Sequence, residues 1–291
     1  IERDWVAAHL PPRPRRAHKG TFGRVLAVAG SREYAGAALL TGLGAARAGA
    51  GLVCIAAPES VGMRLMGAVP ELILLLLAEE APGLTSPAGW RRLSGESASY
   101  DALVVGPGLG RQQGTQRRVR SLLAELQRPA VIDADALNAL AEERSWWKPL
   151  RAAFVLTPHP GEFARLTRAP APADDTEARA TAATEAAARW GQVIVLKGAE
   201  TVIAAPDGRH LVSPVATPAL ATAGSGDVLA GAIGALLAAG LEPYEAAACG
   251  VALHAAAGML AEERIGPAGT IARDIANLLP EAARSFGPRA E

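Results

Sequence analysis

Short, continuous apolar runs alternate along most of this chain with longer segments of helical spacing. Residues 24–30, 52–57, 72–77, 101–106, 130–133, 153–156 and 192–196 are built mainly from Val, Ile, Leu and Ala, and the runs are bounded by turn residues. They are too short for helices and lack the polar alternation of a half-solvated strand, which predicts strands covered on both faces. Residues 37–48 and 116–126 lie between such runs with helical periodicity, so the units are strand, helix, strand. Past residue 196 the rhythm changes. Residues 201–205 and 209–213 flank Pro206-Asp207-Gly208, a hairpin signal that predicts antiparallel strands. Helices are predicted over 228–240, 243–263 and 271–283, and the alanine-rich stretch 171–189 reads as a solvated helix. The expectation is an α/β fold with a mainly parallel central sheet, helices on both faces and an antiparallel edge.

The unusual residues gather where the predicted strands end: Gly106-Pro107-Gly108-Leu109-Gly110, Asp133-Ala134-Asp135, Thr157-Pro158-His159-Pro160-Gly161-Glu162 and Lys197-Gly198. In an open parallel sheet ligands bind outside the carboxyl ends of the strands, so these turns are expected to meet in one crevice. The stretch Gly224-Ser225-Gly226-Asp227 completes the set, because it opens a small-residue apolar helix. The first N–H groups of a helix lack partners and sit at the positive end of its dipole, so a phosphate is stabilised there. A carboxylate in that turn, Asp227, is placed to take a proton from an attacking hydroxyl, although a helix cap is the plainer role for an aspartate there.

Hydrophobic residues are 50% and charged residues 20% of the 291, which excludes a disordered chain. Lys+Arg and Asp+Glu balance at 29 each, so nothing points to nucleic acid or an anionic membrane surface. The apolar run at 72–77 is far too short to span a bilayer. Cys54 and Cys249 lie apart in apolar contexts and are expected to be buried thiols of a cytoplasmic protein. Residues 1–16, with Pro11, Pro12, Pro14, Arg13, Arg15 and Arg16, read as an extended lead-in or linker before a single domain over 17–291.

No lysine sits in a GxxxxGK[ST] loop, which excludes a P-loop, and the turn at 30–36 lacks GxGxxG spacing. Taken together, His18-Lys19-Gly20-Thr21-Phe22-Gly23, Tyr34-Ala35-Gly36-Ala37, the 106–110 turn, Asp133-Ala134-Asp135-Ala136-Leu137-Asn138, the 157–162 turn, Leu196-Lys197-Gly198 and Gly224–Asp227 resemble the ADP- or ATP-dependent NAD(P)H-hydrate dehydratases. These are nicotinamide-repair enzymes of the ribokinase-like superfamily, and the resemblance runs from about residue 17 to 285.

The resemblance implies a substrate, NAD(P)HX, in which water has added across the nicotinamide C5=C6 bond. ADP is the phosphoryl donor with Mg²⁺, and the products are NAD(P)H, AMP and phosphate. It implies Asp227 as the base, with Ala37, Gly108, His159 and Asp227 holding the S epimer of the hydrated dinucleotide. Lys197, Gly198, Ala199, Glu200, Thr201 and Gly226 would bind the adenine nucleotide, with Gly224 and Ser225 in the phosphate turn. Donor preference is expected to be ADP over ATP, since residues 197–201 supply no further anion clamp. Asp135 is expected to cap a helix starting at Ala136; Asp133 faces the phosphates or a Mg²⁺ through water. His254 is expected in a core or interface and His210 on a strand. Similar proteins imply a homotetramer, consistent with small-residue helices apparently too apolar for one sheet face, and an epimerase domain upstream or in a separate chain. Two other classes share these turns: a vitamin or sugar kinase of the same superfamily, and a nucleotide-binding regulator without turnover.

Overall fold

The structure is a computed structural model and describes residues 1–287; the expected domain boundary at 291 lies outside the described residues. The strands in chain order are β1 (Arg24–Val28), β2 (Leu52–Pro58), β3 (Ile73–Leu77), β4 (Glu79–Ala81), β5 (Leu84–Thr85), β6 (Ala102–Val105), β7 (Ala130–Ile132), β8 (Phe154–Leu156), β9 (Val193–Leu196), β10 (Thr201–Ala204) and β11 (His210–Ser213). Nine of those described form one sheet in the order β11-β10-β9-β8-β7-β6-β1-β2-β3, while β4 and β5 pair separately. From β3 to β9 every pairing is parallel. β10 runs antiparallel to both β9 and β11, which is the expected edge.

The winding direction reverses at β1. The chain moves outward from β1 to β2 and β3, then returns to the other side of β1 and moves outward again through β6 to β9. Gly30 N–H donates to Pro107 O at 2.8 Å and Gly106 N–H donates to Val28 O at 3.1 Å, so the two turns at this switch point are laced together. A ligand crevice forms at such a point because the two connections leave in opposite directions.

Strand residues divide by parity between two cores, as a period of two requires. Val25, Val53, Val104, Val131, Val155 and Val195 face one core. It is shared with α2 (Ala35–Ala48), α9 (Ser225–Ala238), α10 (Pro243–Arg264) and α11 (Ala272–Phe286). Leu26, Cys54, Leu103, Ile132, Leu156 and Ile194 face the other. That side is covered by α4 (Pro87–Ser97), α5 (Gln113–Glu125), α6 (Asp135–Ala141), α7 (Pro160–Thr167) and α8 (Thr176–Trp190). α3 (Glu59–Leu65) flanks β2 and β3.

Three expectations need correction. The lead-in is not wholly extended: α1 spans Arg3–His9, buries Val6 completely and ends where Pro11 and Pro12 follow. Its charged residues Arg3 and Asp4 masked an apolar anchor, Val6, which Trp5 and Leu10 flank against the same core. The alanine-rich helix α8 is not solvated all round, because Ala183, Ala187 and Trp190 are buried against the sheet. The third concerns α9 and α10, whose apolar surface is covered within one chain by α2, α11 and the sheet, so it needs no second subunit. By length and composition alone α10 could cross a membrane, but here it is a core helix.

Candidate active site

The expected crevice exists, and its chemistry is concentrated between the ends of β7, β8 and β9 and the start of α9. Gly224 adopts φ 89° as the residue preceding α9, a left-handed conformation that favours glycine, and a Cβ there would stand 2.4 Å from Leu40 Cδ1 and force that side chain to move. The turn exposes the first amides of α9 and sets Asp227 within its first turn.

At the end of β7 the chain does something alanine seldom does. Ala134 has φ 49° and ψ −117°, a conformation costing on the order of 1–3 kcal/mol for a residue with a side chain. The bend sends its two aspartates to different partners. Asp133 is buried, and its Oδ1 accepts from Lys197 Nζ and from Thr157 Oγ1, each at 2.8 Å. Asp135 does not cap α6 as expected; its Oδ2 accepts from Gly110 N–H at 2.8 Å and so ties the 106–110 turn to the site.

Burial works against the charge on Lys197, but Asp133, Glu162 and Asp227 outweigh it and hold the ammonium above its ordinary pKa. Glu162, also buried, is pushed up by desolvation although Lys197 pulls it down. Asp227 is raised to about 7, first by desolvation, then by the neighbouring negative charge of Asp133, with Lys197 opposing. A carboxylate poised near neutrality beside a fixed cation is suited to accept a proton at ordinary pH.

On the β1 and β6 side, Ala37 and Gly108 come together: a Cβ on Gly108 would lie 2.8 Å from Ala37 Cβ and from Tyr34 O. His159 precedes α7 and its Nδ1 accepts from Gly161 N–H at 3.0 Å, leaving half of its side chain exposed at the rim. Desolvation, then Lys197 and Arg165, hold its pKa below the ordinary imidazole value.

Beyond the phosphate turn lies a cavity of about 810 Å³, lined by Lys197, Gly198, Ala199, Thr201, Ser225 and Gly226 together with Thr217, Leu220, Leu229 and His254. Glu200 does not line it. Its carboxylate accepts a hydrogen bond from Thr176 Oγ1 and fastens the loop to α8. Among the described residues no three His, Cys, Asp or Glu side chains form a metal cage. The donors instead fit Mg²⁺, which keeps its waters and uses one or two carboxylates with the phosphates: Asp133 has an oxygen beyond the one given to Lys197 and Thr157, and Asp227 couples to it electrostatically.

A family profile for NAD(P)H-hydrate dehydratases matches residues 25–281. The chain belongs to the NAD(P)H-hydrate dehydratase family. It is similar to the ADP-dependent (S)-NAD(P)H-hydrate dehydratase of Bacillus subtilis, 36% identical over 285 residues covering 97% of each chain. It is also similar to the bifunctional NAD(P)H-hydrate repair enzyme Nnr of Moorella thermoacetica, 43% identical over 99% of this chain and 54% of that one. This dehydratase-family chain thus spans about half the length of the bifunctional relatives it matches. The crystal structure of the Bacillus subtilis ADP/ATP-dependent NAD(P)H-hydrate dehydratase co-crystallised with ATP/Mg²⁺ superposes with a TM-score of 0.83 at 34% identity, covering 98% of this chain and 97% of that one. A ribokinase-like superfamily protein of Enterococcus faecalis, 24% identical with a TM-score of 0.81 over 99% of this chain and 95% of that one, shares the fold.

Set against the family motifs, one run lies elsewhere: residues 18–23 sit at the amino end of β1, where Gly51 N–H donates to Gly23 O, remote from the strand ends that build the crevice. Thr157 and Glu162 carried no separate expectation, yet both belong to the buried charge cluster. The sequence hint was their place in the 157–162 turn, expected at the carboxyl end of a strand and in the crevice. His254 was expected in the core, and is buried there, but directly beneath Ser225.

Proposed function

We propose that this chain performs the ADP-dependent dehydration of the S epimer of hydrated NAD(P)H. The observation that carries this reading is Asp227, raised to about 7 at the mouth of the phosphate turn and flanked by the Asp133–Lys197 pair. Ionised Asp227 takes the proton of the C6 hydroxyl as its oxygen attacks the β-phosphorus of ADP, and AMP departs. The phosphate ester is a far better leaving group than hydroxide. The ring nitrogen's electron pair expels it, loss of the C5 proton completes the double bond, and NAD(P)H and phosphate result.

The amides of Gly224 and Gly226 hold the transferring phosphoryl group, while Ser225 N–H, which donates to Thr222 O at 3.2 Å, braces the turn, and Lys197 adds a fixed positive charge beside it. Gly198, Ala199 and Thr201 border the adenosine, with Glu200 holding the loop from behind. Ala37, Gly108 and His159 hold the dinucleotide along the crevice. Mg²⁺, when bound, neutralises charge on the phosphates, with Asp133 and Asp227 as its protein ligands through water. Lys197 is the one cation among the described residues lining the cavity, which supports ADP over a donor with a longer phosphate tail.

The same proposal covers the remaining biology. Residues 17–291 act as one catalytic unit in the cytoplasm, consistent with two free, buried cysteines. An epimerase, on the same polypeptide or a separate one, supplies the S epimer. The chain forms a homotetramer through the β3 edge, where Met63, Met66 and Ile73 are each about half exposed and Met66, with Leu72, Leu74 and Leu76, lines an apolar groove of about 350 Å³. Freshly hydrated NADH mixed with ADP tests the reading: dihydronicotinamide absorbance returns, and AMP and phosphate form in equal amounts. A stable phosphorylated product in place of NADH identifies a kinase instead.

A further inference from the structure

Three residues of α10 spaced four apart, His254, Gly258 and Glu262, share one helix face, and each meets the segment that runs from 217 to 225. Glu262 accepts a hydrogen bond from Thr217 Oγ1, and Thr217 in turn accepts from Ala219 N–H at 3.2 Å. At position 258 nothing intervenes: a Cβ would stand 2.5 Å from Leu220 Cγ. His254 Nε2 lies 3.0 Å from Ser225 O and 3.2 Å from Ser225 Oγ. Thr217, Leu220 and Ser225 all line the large cavity. One helix face therefore grips the cavity wall at three successive turns.

The contact at Ser225 has only one consistent proton arrangement. A carbonyl oxygen accepts and never donates, so the ring nitrogen 3.0 Å from Ser225 O carries the hydrogen. Burial lowers the His254 pKa to about 4, so the ring is neutral and this is its one N–H. Ser225 Oγ shares that hydrogen as a second acceptor. Its own proton is then left for another partner, and no protein acceptor for it exists among the described residues. The other tautomer would set a lone pair against the carbonyl oxygen.

We propose that this face of α10 is the positioning element of the nucleotide site, with His254 orienting the Ser225 hydroxyl so that its proton is donated to the bound phosphoryl group. The inference rests on the reading of the cavity as the ADP site. His254 is a positioning residue, since it acts through Ser225.

The test is ADP affinity by calorimetry, with KM and kcat on hydrated NADH, for His254→Leu, His254→Gln, Ser225→Ala and the double variant His254→Leu/Ser225→Ala. His254→Leu and Ser225→Ala are each expected to weaken ADP roughly ten- to a hundredfold, the scale of one hydrogen bond to a charged group. The KM for hydrated NADH should stay unchanged. The double variant should be no weaker than either single one, because both remove the same interaction. His254→Gln, which keeps an N–H donor, should recover most of the affinity. Additive losses, wild-type ADP affinity in His254→Leu, or a lowered Tm with unchanged affinity overturn the proposal. Should His254→Leu fail to fold, His254→Met, which also lacks a donor, takes its place in the same cycle and is judged by the same criterion. A wild-type protein that binds ADP without restoring NADH refutes the dehydratase reading and leaves this inference standing, whereas one that does not bind ADP overturns both.

Discussion

A single carboxylate concentrates the chemistry, and its environment predicts how it behaves. Asp227 is pushed up to about 7 because burial and Asp133 oppose its charge more than Lys197 relieves it. The base must be ionised to act, so kcat/KM on hydrated NADH is expected to rise with pH through about 7 and then level; a profile flat from pH 5 to 9 would contradict the assignment. Asp227→Asn should lose about 10²–10⁴-fold in rate while still binding ADP. Its stability carries a second signature. A carboxyl whose folded pKa is raised stabilises the fold fully below its unfolded pKa, and that contribution is lost as pH rises through about 7. Relative to wild type, the Asn variant should therefore gain stability across that window in urea melts, and a constant difference would show that the shift is absent. Lys197 predicts the converse effect. Lys197→Met strands Asp133, which is buried, and should cost about 3–5 kcal/mol, partly recovered in Asp133→Asn/Lys197→Met. Equal losses in both variants would show that the pair is not coupled. At this scale the sequence singled out the aspartate proposed as the base, because a helix-opening Gly-Ser-Gly-Asp is a local signal. It could not reveal the partnership of Asp133 with Thr157 and Lys197, which joins residues 24 and 64 positions apart through the order of the strands.

Among the elements, the buried strands were legible because continuous Val, Ile and Leu runs have few alternative structures. The edge hairpin was legible from its Pro-Asp-Gly turn, which separates β10 from β11. Helices whose burial depends on one face were harder. α8 looked solvated because alanine marks no face by itself, and only the sheet beneath it selects Ala183 and Ala187. α1 is similar: its anchor is Val6, and the arginines and prolines that follow dominate the composition. That anchoring makes a prediction. Val6 is fully buried beside α10 and α11, so Val6→Ala is expected to cost about 2 kcal/mol in chemical denaturation. No measurable change would mean that the segment is the loose lead-in its composition suggests.

At the scale of the whole molecule, the parallel order β6-β7-β8-β9 explains why residues from widely separated parts of the sequence meet, and the reversal of winding at β1 brings the turns at 30 and 106–110 beside them. The 106–110 turn, Asp133, Thr157 and Lys197 each end a neighbouring parallel strand, and α9 delivers Asp227 across them. The apolar groove and half-exposed methionines at β3 belong to this scale too. Under the proposed assembly through this edge, Ile73→Lys with Met66→Lys is expected to lower the oligomeric state in light scattering, and a tetramer that survives both charges is assembled elsewhere. The account's central claim is that this site couples phosphoryl transfer to loss of water from a hydrated dihydronicotinamide. Its most direct measurement follows dihydronicotinamide absorbance together with AMP and phosphate after ADP is added to the purified protein and hydrated NADH. The account predicts one AMP and one phosphate for each NADH restored, with no recovery when ADP is left out. NADH restored at the same rate without nucleotide, or a phosphorylated hydrate that accumulates without NADH, would contradict it.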